Sequence, residues 1–187
     1  IDFVFQPIID VASQTVYGYE MLMRPKMEKL PTPSAVLRIA RAQSRLYQIE
    51  HLTWFKAMET IDRYHEHLKG KKLFINSISS LRLTPEDLAE LDRRYGQYNS
   101  QVVIELTESE KMGEQATLHK RKRCVDQHQE IALDDYGTGY NGEATLLDLM
   151  PNYVKIDMSI IRGIDQDLNR REFYEGLVVY FRSRHIK

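Results

Sequence analysis

Short apolar runs separated by longer stretches of helical periodicity recur along the whole chain. This alternation constrains the fold more than any other feature. The strand-like runs cover residues 3–9, 16–23, 72–76, 102–106, 131–134 and 153–156. Residues 34–69 carry Val36, Leu37, Ile39, Ala40, Leu46, Leu52, Phe55, Met58 and Ile61 at helical spacing, which predicts two helices. Thr84 followed by Pro85 marks another helix start, with a capping hydroxyl and a ring suited to the first turn. Further helices are predicted over 110–129, 142–149 and 172–184. Strands alternating with helices in this way require parallel pairing through crossover helices, so the fold class is α/β. Repeats, linkers and low-complexity segments are absent from the sequence.

The length of 187 residues fits one domain spanning 1–187. With 26 basic and 27 acidic side chains, the net charge is −1. That balance argues against a DNA or RNA polymer as partner, because backbone affinity needs a basic surplus. The run Lys120-Arg121-Lys122-Arg123 is expected to be a solvated helix face rather than a nucleic-acid patch. One cysteine, Cys124, allows no internal disulfide, which fits a reducing cytoplasm. No apolar run is long enough to span a bilayer, so direct membrane contact by this segment is not expected. The chain begins abruptly in a strand-like segment with no signal peptide, and so reads as a piece excised from a longer parent, with a membrane-anchored parent as an open alternative.

Several strand-like runs contain a polar residue inside them or at their end. Glu105 sits between Ile104 and Leu106; Asn76 ends the run from Leu73; Asp134 and Asp135 end the run from Ile131; Lys155 lies between Val154 and Ile156. Burying such groups is costly unless they are paired or bind a metal. In a parallel barrel the C-terminal strand ends converge on one mouth, where Glu20, Asn76, Glu105, Asp134, Asp135 and Lys155 would meet. Carboxylates with one amide form a hard oxygen site suited to Mg²⁺ or Mn²⁺. The scattered histidines His51, His119, His128 and His185 form no zinc pattern. Two bridged ions could then support in-line displacement at phosphorus, with Asp134 and Asp135 as bridging candidates and Lys155 orienting water or offsetting phosphate charge. The plainer alternative for any one of these carboxylates is a helix cap or half of an ion pair, and Asp157 is read that way. Gly137-Thr138-Gly139-Tyr140 makes a tightly turned loop at the same mouth, or an ordinary strand-to-helix turn. Spacing alone points no further than a metal-assisted barrel enzyme.

Taken together these segments resemble the EAL-domain family of cyclic di-GMP phosphodiesterases, in collinear order from Phe5 onward. Gln6-Pro7-Ile8 is similar to the family's opening strand. Glu20-Met21-Leu22 with Arg24 stands at the Glu-Ala-Leu signature, with Met21 in place of alanine. Asn76-Ser77-Ile78-Ser79 resembles the Asn-x-Ser element, and Glu105-Leu106-Thr107-Glu108 the next motif. Asp134-Asp135-Tyr136-Gly137-Thr138-Gly139-Tyr140 resembles the most specific one, with Tyr136 where phenylalanine is usual, and Lys155-Ile156-Asp157 completes the series. The resemblance implies a TIM-like (β/α) barrel with an antiparallel first strand, here lacking the last two strands. It implies metal ligation by Glu20, Asn76, Glu105 and Asp134, with Asp135 at the second metal. Lys155 would contact the catalytic water. Arg24 would hold a substrate phosphate, with Gln6 lining the same pocket. Glu108 would anchor the Gly137–Tyr140 loop. Met21 is expected to face away from the site. The implied reaction converts cyclic di-GMP to linear pGpG in bacterial second-messenger signalling, and a homodimer is compatible with it.

Two departures from the family pattern stand out. Asn141-Gly142 replaces Ser-Ser, and the chain stops at Lys187, where a seventh strand would begin. Six strands cannot close such a barrel, and open edges invite pairing. A catalytically inert cyclic di-GMP receptor, or a protein-interaction scaffold, therefore stands beside the hydrolase. Retention of every ligand that the visible length can carry favours the hydrolase.

Overall fold

The computed structural model describes residues 1–107, 114–138 and 142–187. Strands β1 (Asp2–Asp10) and β2 (Thr15–Arg24) form an antiparallel hairpin. Strands β3 (Lys72–Asn76), β4 (Val102–Thr107), β5 (Glu130–Tyr136) and β6 (Tyr153–Ile156) follow, each parallel to the one before. The six strands lie side by side in chain order. This is the expected α/β arrangement, a half-barrel with an antiparallel first strand. Lys187 bonds to the outer edge of β6, its N–H to Asn152 O at 2.9 Å and its C=O from Val154 N–H at 2.8 Å.

Helices fill the crossovers. Helices α1 (Pro33–Ala42) and α2 (Leu46–Arg63), then the single turn α3 (His65–Leu68), link β2 to β3. Helix α4 (Pro85–Tyr95) links β3 to β4 and starts as expected, with Thr84 Oγ1 accepting from Asp87 N–H at 3.2 Å. Helices α5 (Glu114–Asp126) and α6 (Gly142–Leu149) follow β4 and β5. After β6 comes a short turn, α7 (Met158–Ile161), that the apolar pattern did not reveal. Asp157 caps it through Ser159 N–H at 2.8 Å, in keeping with a structural role. Helix α8 (Leu168–Ser183) begins four residues earlier than the predicted 172, because Asp167 Oδ1 accepts from Arg170 N–H at 3.1 Å and opens the helix there.

Strand alternation sorts side chains onto two faces. Met21, Leu73, Ile75, Val102, Ile104, Leu106, Ile131 and Leu133 point outward into the main core, where helix residues Trp54, Ala57, Met58 and Ile61 pack with them. Phe74, Val103, Ala132 and Tyr153 point inward and form a small apolar floor. Both faces are thus buried along much of their length, which is why these strands read as near-continuous apolar runs. Met21 is 1% exposed on the outer face, beside but directed away from Glu20.

The basic run 120–123 departs from the expected solvated face. Lys120 is 5% exposed and donates to Ser77 Oγ at 2.8 Å and to Ile78 O at 2.7 Å. Arg123 lies over the Trp54 ring at 4.8 Å. Residues three apart share a helix face, and here that face is turned to the core.

Removing a fully buried outer-face side chain leaves a cavity between sheet and helices. Leu133→Ala should lower unfolding free energy by about 2–5 kcal/mol in urea titrations. Leu147→Ala, on the exposed side of α6, should change it by less than about 0.5 kcal/mol.

Candidate metal centre

Four parallel strands and the hairpin each bring one polar residue to the inner face just above the apolar floor. Glu20 comes from β2, Asn76 from β3, Glu105 from β4, Asp134 from β5 and Lys155 from β6. Each lies two residues beyond an inward floor position on its own strand where β3 to β6 are concerned: Phe74, Val103, Ala132 and Tyr153. The period of two therefore places the next inward residues in one layer at the strands' C-terminal ends.

The geometry is tight. Lys155 Nζ lies 2.7 Å from Glu105, 3.0 Å from Glu20 and 3.1 Å from Asp134. Asn76 Nδ2 donates to Glu105 Oε2 at 3.1 Å and to Glu20 Oε1 at 3.4 Å. One oxygen from each of Glu20, Glu105 and Asp134 lies within 4.8 Å of the others. Gln6 stands opposite Glu20 in the β1–β2 register, so the pair shares a sheet face. Arg24 ends β2 at the rim of an adjacent cavity of about 300 Å³, which also reaches Glu20, Asn76, Leu37 and Ile49.

The remaining expected residues fall around this layer. Asp135 is exposed at the rim, outside the three-carboxylate cluster, with φ of 56° and its N–H on Asp134 Oδ1 at 3.0 Å. Burial and the neighbouring charges of Asp134 and Asp157 raise its pKa. Gly137 adopts φ of 98°, a backbone conformation that favours glycine, and a Cβ there would also displace the Ile160 Cδ1 methyl. Thr138 closes the turn by donating from both N and Oγ1 to Asp135 O. Tyr136 packs edge-on to Phe181, 5.9 Å between centroids. Glu108 and Gly139 lie outside the described residues.

Charge decides what this layer can bind. Three carboxylates face one ammonium, so full ionisation leaves two negative charges in excess. Burial drives the Glu105 carboxyl up to about 8, with Lys155 opposing and Glu20 and Asp134 adding to the rise. Burial alone would lower the Lys155 pKa, but Glu105, Asp134 and Glu20 outweigh it and hold the ammonium charged. Glu105 Oε1 is buried, with the Lys155 ammonium as its close partner at 2.7 Å. Carboxylates and one amide, crowded around a buried Glu105 and over-negative, fit a hard divalent cation.

One network here escaped the sequence reading. Glu50, on α2, is 2% exposed and takes Ser77 Oγ–H on Oε1 and Ile78 N–H on Oε2, directly behind Asn76. The signal was present: Glu50 falls on the same helical stripe as Trp54, Ala57 and Ile61, all buried.

A proton held on Glu105 competes with a metal ion. Binding of Mg²⁺ or Mn²⁺ should therefore tighten as pH rises toward about 8 and then level off. Calorimetry in buffers of different ionisation enthalpy should register proton release near neutral pH.

The family model described as EAL domain matches residues 1–187. Among curated proteins, the probable cyclic di-GMP phosphodiesterase PdeN of Escherichia coli K12 is 29% identical over 168 residues, 86% of this chain and 32% of that protein. The probable cyclic di-GMP phosphodiesterase PdeG of the same organism is 25% identical over 170 residues, 87% of this chain and 34% of that protein. The chain thus spans about a third of the length of these curated relatives. A standalone versatile EAL protein of Vibrio cholerae O395, solved in its c-di-GMP-bound form, superposes with a TM-score of 0.84 at 24% identity, over 100% of this chain and 78% of its own. Klebsiella pneumoniae BlrP1, solved with manganese and cyclic di-GMP, gives 0.85 at 24% identity, over 100% and 47%. These likenesses bear on the fold, and the matched family model settles the kinship: the chain belongs to the EAL domain family.

Proposed function

We propose that this chain is the catalytic part of a cyclic di-GMP phosphodiesterase that produces linear pGpG with two divalent ions, Mg²⁺ or Mn²⁺. The observation that carries the reading is the meeting of Glu20, Asn76, Glu105 and Asp134 around Lys155 at the mouth of an EAL half-barrel. The relatives named for this activity, and the solved relatives holding this nucleotide, supply the substrate class. We read residues 1–187 as one EAL-type unit acting in the cytoplasm.

The residues divide the work. Glu20, Asn76, Glu105 and Asp134 hold the first ion, and Asp135, at the rim beside Asp134, contributes to the second. Bound there, the ions supply Lewis acidity for water activation and for charge developing on the phosphate. Lys155 is held protonated by its carboxylate neighbours, so it serves as a hydrogen-bond donor that orients water and offsets negative charge, not as a base. Arg24 and Gln6 flank the layer on the hairpin side and receive the nucleotide, the guanidinium pairing with a phosphate. Gly137 and Thr138 hold the turn that carries Asp135.

The test uses the longest encoded form of the protein with cyclic di-GMP and Mg²⁺ or Mn²⁺, products being resolved by chromatography. Linear dinucleotide should form, and Glu20→Ala should cut the rate by more than about 100-fold, since even outer-shell changes at metal sites cost about 10–100-fold. Binding of the nucleotide without turnover by the parent protein would make it a receptor, and absence of binding would leave a scaffold. Arg24→Ala should raise KM by about 10-fold with a smaller change in kcat, because a phosphate contact made in both ground and transition states is uniform binding.

A further inference from the structure

Asn76 is the only neutral member of the candidate ligand set, and it ends its strand. Its side chain can be placed only as well as the backbone that follows it. That backbone, Ser77-Ile78, is held from both sides by buried charge. From α2, Glu50 accepts Ser77 Oγ–H on Oε1 and Ile78 N–H on Oε2 at 2.9 Å. From α5, Lys120 donates to Ser77 Oγ at 2.8 Å and to Ile78 O at 2.7 Å. Both peptide groups of Ile78 are thus taken, one by a carboxylate and one by an ammonium. Ser77 N–H continues the sheet by donating to Glu105 O at 3.0 Å, tying the clamp to a second candidate ligand. Trp54 Nε1–H donates to Glu50 Oε1 at 3.0 Å and fixes that carboxylate from behind.

Glu50 and Lys120 are 2% and 5% exposed, in positions where a helix would otherwise place apolar side chains. A buried pair of this kind is weak as a stabilising device, since well-packed apolar residues often do as well or better. Fixing a backbone segment beside a ligand is work that apolar residues cannot do. Hydrogen-bonded partners outside a ligand shell set ligand orientation in this way.

We propose that Glu50 and Lys120, acting through Ser77 and the Ile78 peptide, are positioning residues that present the Asn76 amide to a divalent ion. This rests on the reading of the layer as a metal centre. Neither residue touches the reacting atoms.

Trp54 is the sole tryptophan and bonds directly to Glu50, so its fluorescence reports on the clamp. The experiment titrates Mn²⁺ into the full-length protein, following free Mn²⁺ by electron paramagnetic resonance, and titrates Mg²⁺ while following Trp54 emission. Parent, Glu50→Gln and Ser77→Ala proteins are compared, with urea midpoints recorded for each. The parent should bind Mn²⁺ and change its Trp54 emission over the Mg²⁺ range in which the site fills. Both folded variants should bind Mn²⁺ about 10–100-fold more weakly, and Ser77→Ala should lose the emission change because the bridging hydroxyl is gone. Should Glu50→Gln fail to fold, Ser77→Ala, which deletes a single oxygen, carries the same test. Folded variants with parental Mn²⁺ affinity would overturn the positioning role while leaving the metal centre intact. A parent protein that binds no Mn²⁺ would overturn the metal centre itself, and the positioning role with it.

Discussion

An ammonium set among three carboxylates is the contact on which the rest of this structure depends. The inner face of the sheet carries Glu20, Glu105 and Asp134 within a few ångströms of one another, and Glu105 is fully buried. Without Lys155 such a layer would repel itself and would resist burial. With Lys155 the layer can form before any ion arrives, yet it stays over-negative. The same lysine therefore makes the fold compatible with the acids and leaves them available to a divalent cation.

The position of that layer follows from strand geometry. An inward residue occurs at every second place, so a floor of Phe74, Val103, Ala132 and Tyr153 implies a next layer of Asn76, Glu105, Asp134 and Lys155. The floor packs beneath this layer, and the helix layer covers the outer face with Met21, Ile75, Ile104, Leu106 and Leu133. The candidate ligands sit at the C-terminal ends of their strands, where they can be reached. Each acid is held by a different strand, so its place is set by register rather than by a flexible loop.

Much of this was legible in order and type. Strands β3 and β6 fall at 72–76 and 153–156 as the apolar runs predict, and the other strands extend those runs by one to three residues in all. Thr84 and Asp157 cap helices because short oxygen-bearing side chains can accept from the free N–H groups of a first turn. The start of α8 was missed because its first turn carries the exposed Leu168, which lies off any apolar stripe, while the decisive group was the Asp167 cap. The basic run 120–123 misled for a different reason. Charge density suggests a solvated face, but Lys120 and Arg123 share a side of α5 that meets the buried Glu50 and Trp54, more than sixty residues away in the chain. Nothing local distinguishes a lysine with a buried partner from one in water.

The sequence by itself determined the element order, the two faces of each strand and the set of polar residues at the strand ends. These depend on periodicity and on caps, which act over a few residues. Tertiary structure decided what those residues do to each other: that Lys155 serves three carboxylates at once, that Glu105 is pushed toward neutrality, that Asp135 stands at the rim rather than in the cluster, and that Glu50 and Lys120 clamp the peptide after Asn76. Those outcomes depend on distances between strands and helices far apart in the chain, and electrostatic energy is set by distance and burial, not by position along the sequence.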